Sequence, residues 1–230
     1  MDLNEFDLWL EIEDSLRTKE YFKPDVDYIE LLNDSELFTV EIYIRRHVEI
    51  VGYLICTVFY DDIIEDSGSS LVMVADDYTT QDTYEAMEVV QKWVERRTEK
   101  EHQLYSFFLE PSTIYIQNMA VKDDYRCKGI GSWLLRNLPQ IIVNRYRRDP
   151  VTIVVKLFPE DIDWTKTPPQ FTKFESDAKE IDATTSYWFD EIDVYDETDP
   201  MFIKMKRLLE SNGYSRYENT LYFIKDFYKQ

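Results

Sequence analysis

A chain of 230 residues with a formal net charge of −20 can bury a substantial core, either as one large domain or as two small ones. Its 44% apolar and 15% aromatic content excludes a disordered polymer, and no apolar run reaches the length needed to span a membrane. Two cysteines, Cys56 and Cys127, and two histidines, all far apart, offer neither a disulfide framework nor metal-ligand spacing.

In chain order, the acidic start from Met1 to Asp7 lacks the basic end and apolar run of a secretory signal, so a reducing cytoplasm is the expected setting. Leu3, Phe6, Leu8, Leu10, Ile12 and Leu16 predict a helix for much of residues 3–19, although the middle also fits the alternation of a strand. Pro24 interrupts whatever precedes it, and residues 27–32 fit a short strand or a helical turn equally. The β-branched run from Leu37 to Ile44 and the long apolar run from Glu49 to Tyr60 predict two strands, joined by a turn at Arg45-Arg46-His47. Residues 61–70 read as an acidic surface loop and 71–74 as a short strand. A helix is predicted over residues 80–100. Thr79 or Thr80 caps it, and Tyr84, Met87, Val90, Trp93 and Val94 form the stripe that packs on the core.

Residues 114–121 form the next predicted strand. A polar turn follows at 122–124, then the basic glycine-bearing loop Arg126-Cys127-Lys128-Gly129-Ile130-Gly131, then helical spacing from Ser132 to Arg148. Pro139 predicts a kink or a fresh start within that helix. Residues 151–158 carry the apolar run of a buried strand, and 159–200 is an irregular segment rich in acids and aromatics. That segment would fold over the open end of the sheet as part of an acceptor site, or else serve as a protein-binding surface. A helix over 201–212 closed by Gly213 leads into two final strands at 214–218 and 221–227.

A strand that runs through a glycine turn into a helix start is a ready anion site, because the first amides of a helix lack internal acceptors and the dipole makes that end positive. Charge is distributed to match. Residues 1–35 carry a net −8 and residues 160–199 a net −10, whereas residues 121–148 carry +5. The acidic flanks would repel nucleic acid and attract a cationic substrate, while the basic island suits phosphate groups.

The stretch from Met119-Ala120-Val121 through Arg126-Cys127-Lys128-Gly129-Ile130-Gly131 resembles motif A of the GNAT acyltransferase superfamily, Arg/Gln-x-x-Gly-x-Gly/Ala, in which a hydrophobic strand ending in Val precedes the loop. Val51-Gly52-Tyr53 is similar to the step by which members enter an earlier strand. Leu209-Glu210-Ser211-Asn212-Gly213-Tyr214 is similar to the family's Tyr-Glu-x-x-Gly-Phe pattern near the end.

The resemblance implies an α/β fold: a mixed, mostly antiparallel central sheet flanked by helices, with splayed fourth and fifth strands. It implies a single domain over 1–230 with an acidic N-terminal extension (1–36), a helix-containing insertion (61–112) and an acidic, aromatic insertion (159–200). It also implies acetyl-CoA as cosubstrate, bound by Met119, Ala120, Val121, Arg126, Cys127, Lys128, Gly129, Ile130, Gly131 and Ser132. The pantetheine arm would lie between the splayed strands, and an amide of Met119 or Val121 would polarise the thioester.

The expected activity is N-acetyltransfer to a primary amine, either a small cationic amine or a protein lysine or N-terminus, without metal, nucleic acid or membrane as partner. A homodimer stays open. The sequence departs from the pattern at Leu209, where many members carry the tyrosine that protonates the leaving thiolate, and leucine has no proton to give. Another group or solvent then does that work, or the chain binds coenzyme A without transferring an acyl group. No general base is fixed, and the remaining alternative is an acidic interaction protein or nucleic-acid mimic.

Overall fold

The computed structural model describes residues 9–14, 36–97, 110–157, 161–164, 170–172 and 198–227. Its centre is a seven-stranded sheet. In chain order the strands are β1 (Trp9–Asp14), β2 (Leu37–Arg46), β3 (Glu49–Tyr60), β4 (Pro111–Val121), β5 (Asp149–Lys156), β8 (Ser215–Arg216) and β9 (Tyr222–Asp226), and in space they lie β1-β2-β3-β4-β5-β9-β8. Every neighbouring pair is antiparallel except β4 and β5. A parallel pair needs a crossover, supplied here by helix α4 (Ile130–Tyr146). The sheet is thus mixed and mostly antiparallel, as expected. Two short strands, β6 (Asp161–Asp163) and β7 (Gln170–Thr172), pair separately within the acidic, aromatic segment. Apart from Trp164 and residues 198–200, the rest of that segment lies outside the described residues, as do residues 27–32.

Alternation along the strands divides the core in two. Phe38, Val40, Ile42 and Ile44 of β2, Leu54, Cys56 and Val58 of β3, and Ile153 of β5 face α4 and helix α5 (Pro200–Ser211), where Leu134, Leu135, Leu138, Ile142, Phe202 and Leu209 fill the space. Phe59, Tyr115, Val154, Tyr222 and Ile224 face the other way, against three helices between β3 and β4: α1 (Asp61–Asp66), α2 (Leu71–Tyr78) and α3 (Gln81–Glu95).

Several elements differ from the sequence expectation. Residues 9–14 are a strand rather than part of a helix. Leu10 and Ile12 point into the α4-facing core, while Glu11 on the opposite side pairs with Arg45, so the alternation within this segment prevailed over the helical reading. Residues 61–66, expected as loop, are helical, and 71–74 open a helix instead of a strand. The Ser70 hydroxyl accepts from Met73 N–H at 3.3 Å as an N-cap, and Val74 and Ala75 are buried in the core cluster that α3 completes. The long helix stops at Glu95, short of the expected residue 100. The turn after β2 falls at His47 and Val48, with His47 in the left-handed region, and β2 runs on through Arg46. Pro139 does not start a fresh helix, because α4 is one element from Ile130 to Tyr146 with Pro139 inside it. The closing strands are shorter than predicted.

Candidate active site

The site is built where β4 parts from β5. Their pairing runs from Pro111 with Asp149 to Ile116 with Val155 and then ends. Beyond that point β4 stays with β3 as far as Gly52 with Val121, whereas β5 stays with β9, Lys156 opposite Tyr222 and Leu157 N–H donating to Leu221 O at 2.8 Å. The change of partner coincides with a bulge: Ile55 faces Asn118 and Cys56 faces Ile116, so Gln117 is the extra residue. A bulge increases local twist and bends its strand, here at the vertex of the opening.

Strand parity decides which backbone groups face the gap. Lys122 N–H donates to Val51 O at 3.0 Å. Antiparallel pairs alternate between those that exchange bonds and those that do not. Ala120 therefore turns its N–H and C=O towards β3, and Met119 and Val121 turn theirs towards the opening. Arg126 Nε donates to Val121 O at 3.0 Å. That leaves Met119 N–H, Met119 C=O and Val121 N–H without a strand partner among the described residues, a short edge that an extended ligand can complete.

After Val121 the chain makes a 3-10 turn (Asp123–Tyr125), then an exposed loop from Arg126 to Gly129 with Cys127 at φ 60° and Gly129 at φ 85°. Gly129 sits at the N-cap of α4 in the left-handed region and brings no side chain to close the end. The first hydrogen bond of the helix runs from Trp133 N–H to Gly129 O at 2.9 Å, so the amides of Ile130, Gly131 and Ser132 have no acceptor within it.

Gly131 has a packing reason as well. A Cβ there would stand 3.3 Å from Leu208 Cδ2 and 3.9 Å from both Met119 Cε and Val121 Cγ2, so α4 lies close to α5 and to the splayed end of β4. Gly52 does the same on the other side. Its Cβ would meet Ile130 Cγ2 at 2.9 Å, which explains the glycine in Val51-Gly52-Tyr53 as the place where the start of α4 rests on β3.

Tertiary structure scatters the basic island. Arg148, almost fully buried, grips Asp62 with Nη1 2.7 and 2.8 Å from the two carboxylate oxygens, at the opposite end of β4. Arg145 donates to Ile12 O, and Arg136 to Ser132 O and Asn212 Oδ1. Lys122 pairs with Glu49; that bond raises the pKa of the lysine and lowers that of the carboxylate. Arg126 pairs with Asp123 at 2.8 Å, and Lys128 lies 4.8 Å from the centre of the Tyr125 ring. Lys128 is a loop cation without an ion pair among the described residues.

Leu209, which stands where many members carry the tyrosine acid, and Tyr214 are both in the core. Leu209 is 3% exposed and Tyr214 is 2% exposed. The Tyr214 hydroxyl is buried without a hydrogen-bond partner among the described residues, and burial first, then the neighbouring Cys56, pushes its pKa far above the usual phenol value. Sequence reading missed the Gln117 bulge and Asn212. The amide nitrogen of Asn212 donates to Ser132 Oγ at 3.3 Å and to Leu208 O at 2.7 Å, tying the end of α5 to the first turn of α4. The bulge has no composition signal, but Asn212 immediately before Gly213 is a recognisable helix-end residue.

A parallel pair splayed beside an uncapped helix start, inside a mostly antiparallel sheet, is consistent with the GNAT fold. The sequence model of the acetyltransferase (GNAT) family matches residues 6–148, more than half of the chain, and the chain belongs to that family. Family members are in general acetyltransferases that use acyl-CoA. No curated protein matches the chain. No helix among the described residues is long and apolar enough to cross a membrane.

Proposed function

We propose that this protein transfers an acetyl group from acetyl-CoA to a primary amine by direct attack. The observation that carries the reading is the opening of β4 from β5 at Ile116, which leaves Met119 and Val121 with backbone groups turned into the gap. The pantetheine amides complete that edge as a strand would. The pyrophosphate lies at the first turn of α4, against the amides of Cys127 to Ser132, with Lys128 beside it. Residues 1–230 act as one domain, with 61–112 and 159–200 as insertions around this common core and the acidic segment 1–36 at its start.

In the reaction the amine nitrogen bonds to the thioester carbonyl carbon. An amide of β4 holds the developing oxyanion, the C–S bond breaks, and the nitrogen loses its proton as the thiolate gains one. The protein contributes proximity and that amide contact. Leu209 cannot supply the proton, so solvent or another group does.

The same leucine favours a second reading, a coenzyme A-binding protein without transferase activity. Isothermal titration with acetyl-CoA, followed by thiol release with a panel of amines, separates the two. Binding with thiol release is the expected result. Binding without release on any amine leaves the second reading, and absence of binding overturns both.

A further inference from the structure

On the sheet face away from α4, Glu41 of β2 is partly buried and held by two phenols. Tyr43 and Tyr53 both donate to its Oε2, Tyr53 at 3.1 Å, and their rings stack with centroids 5.1 Å apart. Ile50, Ile55 and Trp164 pack on the same pair of tyrosines. The other carboxylate oxygen, Oε1, has no partner among the described residues. Arg45, 5.5 Å from the centre of the Tyr43 ring, is committed to Glu11 through Nε at 2.5 Å and Nη2 at 3.2 Å.

The register fixes where this carboxylate stands. Glu41 lies opposite Ile55, and Ile55 opposite Asn118, the residue beside the Gln117 bulge. Glu41 is therefore in one row across three strands with the vertex of the splay, two strand spacings or about 10 Å from β4.

We propose that Glu41, with Tyr43, Tyr53 and Trp164, is the subsite for a second ammonium group of the acceptor, so that the preferred substrate class is a small diamine or polyamine with about 10 Å between the reacting and the anchored nitrogen. The inference rests on the transferase reading for the reacting end alone. A carboxylate whose lone pairs are aligned by two buried phenols is pre-organised for one more donor, and an ammonium beside stacked tyrosines and an indole gains from the ring faces. The net charge of −20 draws cations to the protein without choosing among them, and the row through Glu41 supplies the choice by distance.

The test compares 1,8-diaminooctane with n-octylamine, which has the same apolar length and one charge, by isothermal titration in the presence of coenzyme A and by KM in acetyl transfer. Wild type is expected to bind the diamine about tenfold or more tightly than the monoamine. Glu41→Gln, isosteric and still able to accept from both tyrosines, should lose that preference. Its octylamine KM, acetyl-CoA affinity and melting temperature should stay unchanged. Glu65→Gln, an exposed carboxylate on α1, controls for the loss of one charge.

Equal affinity of wild type for the two amines, or a diamine preference retained in Glu41→Gln, overturns the proposal. Diamine binding that depends on Glu41 in a protein that fails to bind acetyl-CoA sustains the subsite and overturns the transferase reading instead.

Discussion

Gly52 and Asp61 show how single residues fix this molecule. The Cβ of an alanine at 52 would stand 2.9 Å from Ile130 Cγ2 and 3.3 Å from Ile44 Cβ, with the sheet behind it. Gly52→Ala should therefore cost about 1–3 kcal/mol by overpacking, read as a lower denaturation midpoint; an unchanged midpoint would mean that α4 can lift off β3 freely. Asp61, partly buried at the end of β3, accepts from Thr113 N–H and Thr113 Oγ1, both at 3.0 Å. Loss of water pushes its pKa from 3.8 up to about 7, against the pull of those bonds. The folded state then holds this proton more tightly than the unfolded chain between about pH 4 and pH 7, so the Asp61 contribution to stability falls as pH rises through that window and is level above it. Asp61→Asn keeps one acceptor for the amide and offers the hydroxyl a donor. Its melting temperature relative to wild type should climb between pH 5 and pH 8, and a constant difference would contradict the raised pKa.

Among elements, α1 is the clearest case of tertiary anchoring. Six residues are too few to hold a helix alone in water. What fixes it is Ile64 in the core, Asp61 on β4, and the pair of Asp62 with Arg148, whose guanidinium also lies 3.8 Å from the centre of the Tyr60 ring. Asp62→Ala would leave the Arg148 charge nearly buried and unpaired. The expected loss is about 3 kcal/mol, the low end for such pairs because the Asp62 side chain is 34% exposed. The double variant Asp62→Ala, Arg148→Met should recover much of it in urea unfolding. A double variant as unstable as the single one would place the cost in the helix rather than the stranded charge. Pro139 illustrates the reverse relation. Its ring and missing N–H disfavour a helix interior, yet Leu135, Leu138 and Ile142 are all fully buried around it, so packing on the sheet carries α4 through.

For the whole molecule, ligand linkage is the most direct measure. A ligand that binds only the folded state at a hundredfold excess over its Kd adds about 2.7 kcal/mol, which for a chain of this size raises Tm by roughly 5–10 °C. Acetyl-CoA should do this for the wild type. Gly131→Glu should abolish the shift, because the new side chain brings bulk and negative charge to the turn proposed for the pyrophosphate and must displace Leu208. An undiminished shift in that variant would remove the loop from the site. The reason for expecting a local effect is the scattering of the basic island: of its cations only a few lie by the loop, so binding there rests on backbone amides more than on summed charge.

Much of this was legible in the residues themselves. The strand from Met119 to Val121, the loop from Arg126 to Gly131 and the start of α4 follow from local signals: β-branched and apolar runs, two glycines, and helical spacing after them. The same local signals failed at 61–66 and 71–74, where capping by Ser70 and burial against α3 outweighed composition, and at 9–14, where pairing with β2 chose between two periodicities. The partners of the arginines, the bulge at Gln117, and the convergence of Tyr43 and Tyr53 on Glu41 were decided only by tertiary structure. The physical reason is range. Backbone preference acts over a few neighbouring residues and is written in their order. Strand register and charge pairing join residues far apart in the chain, as Arg148 joins Asp62, and exist only once the sheet has closed.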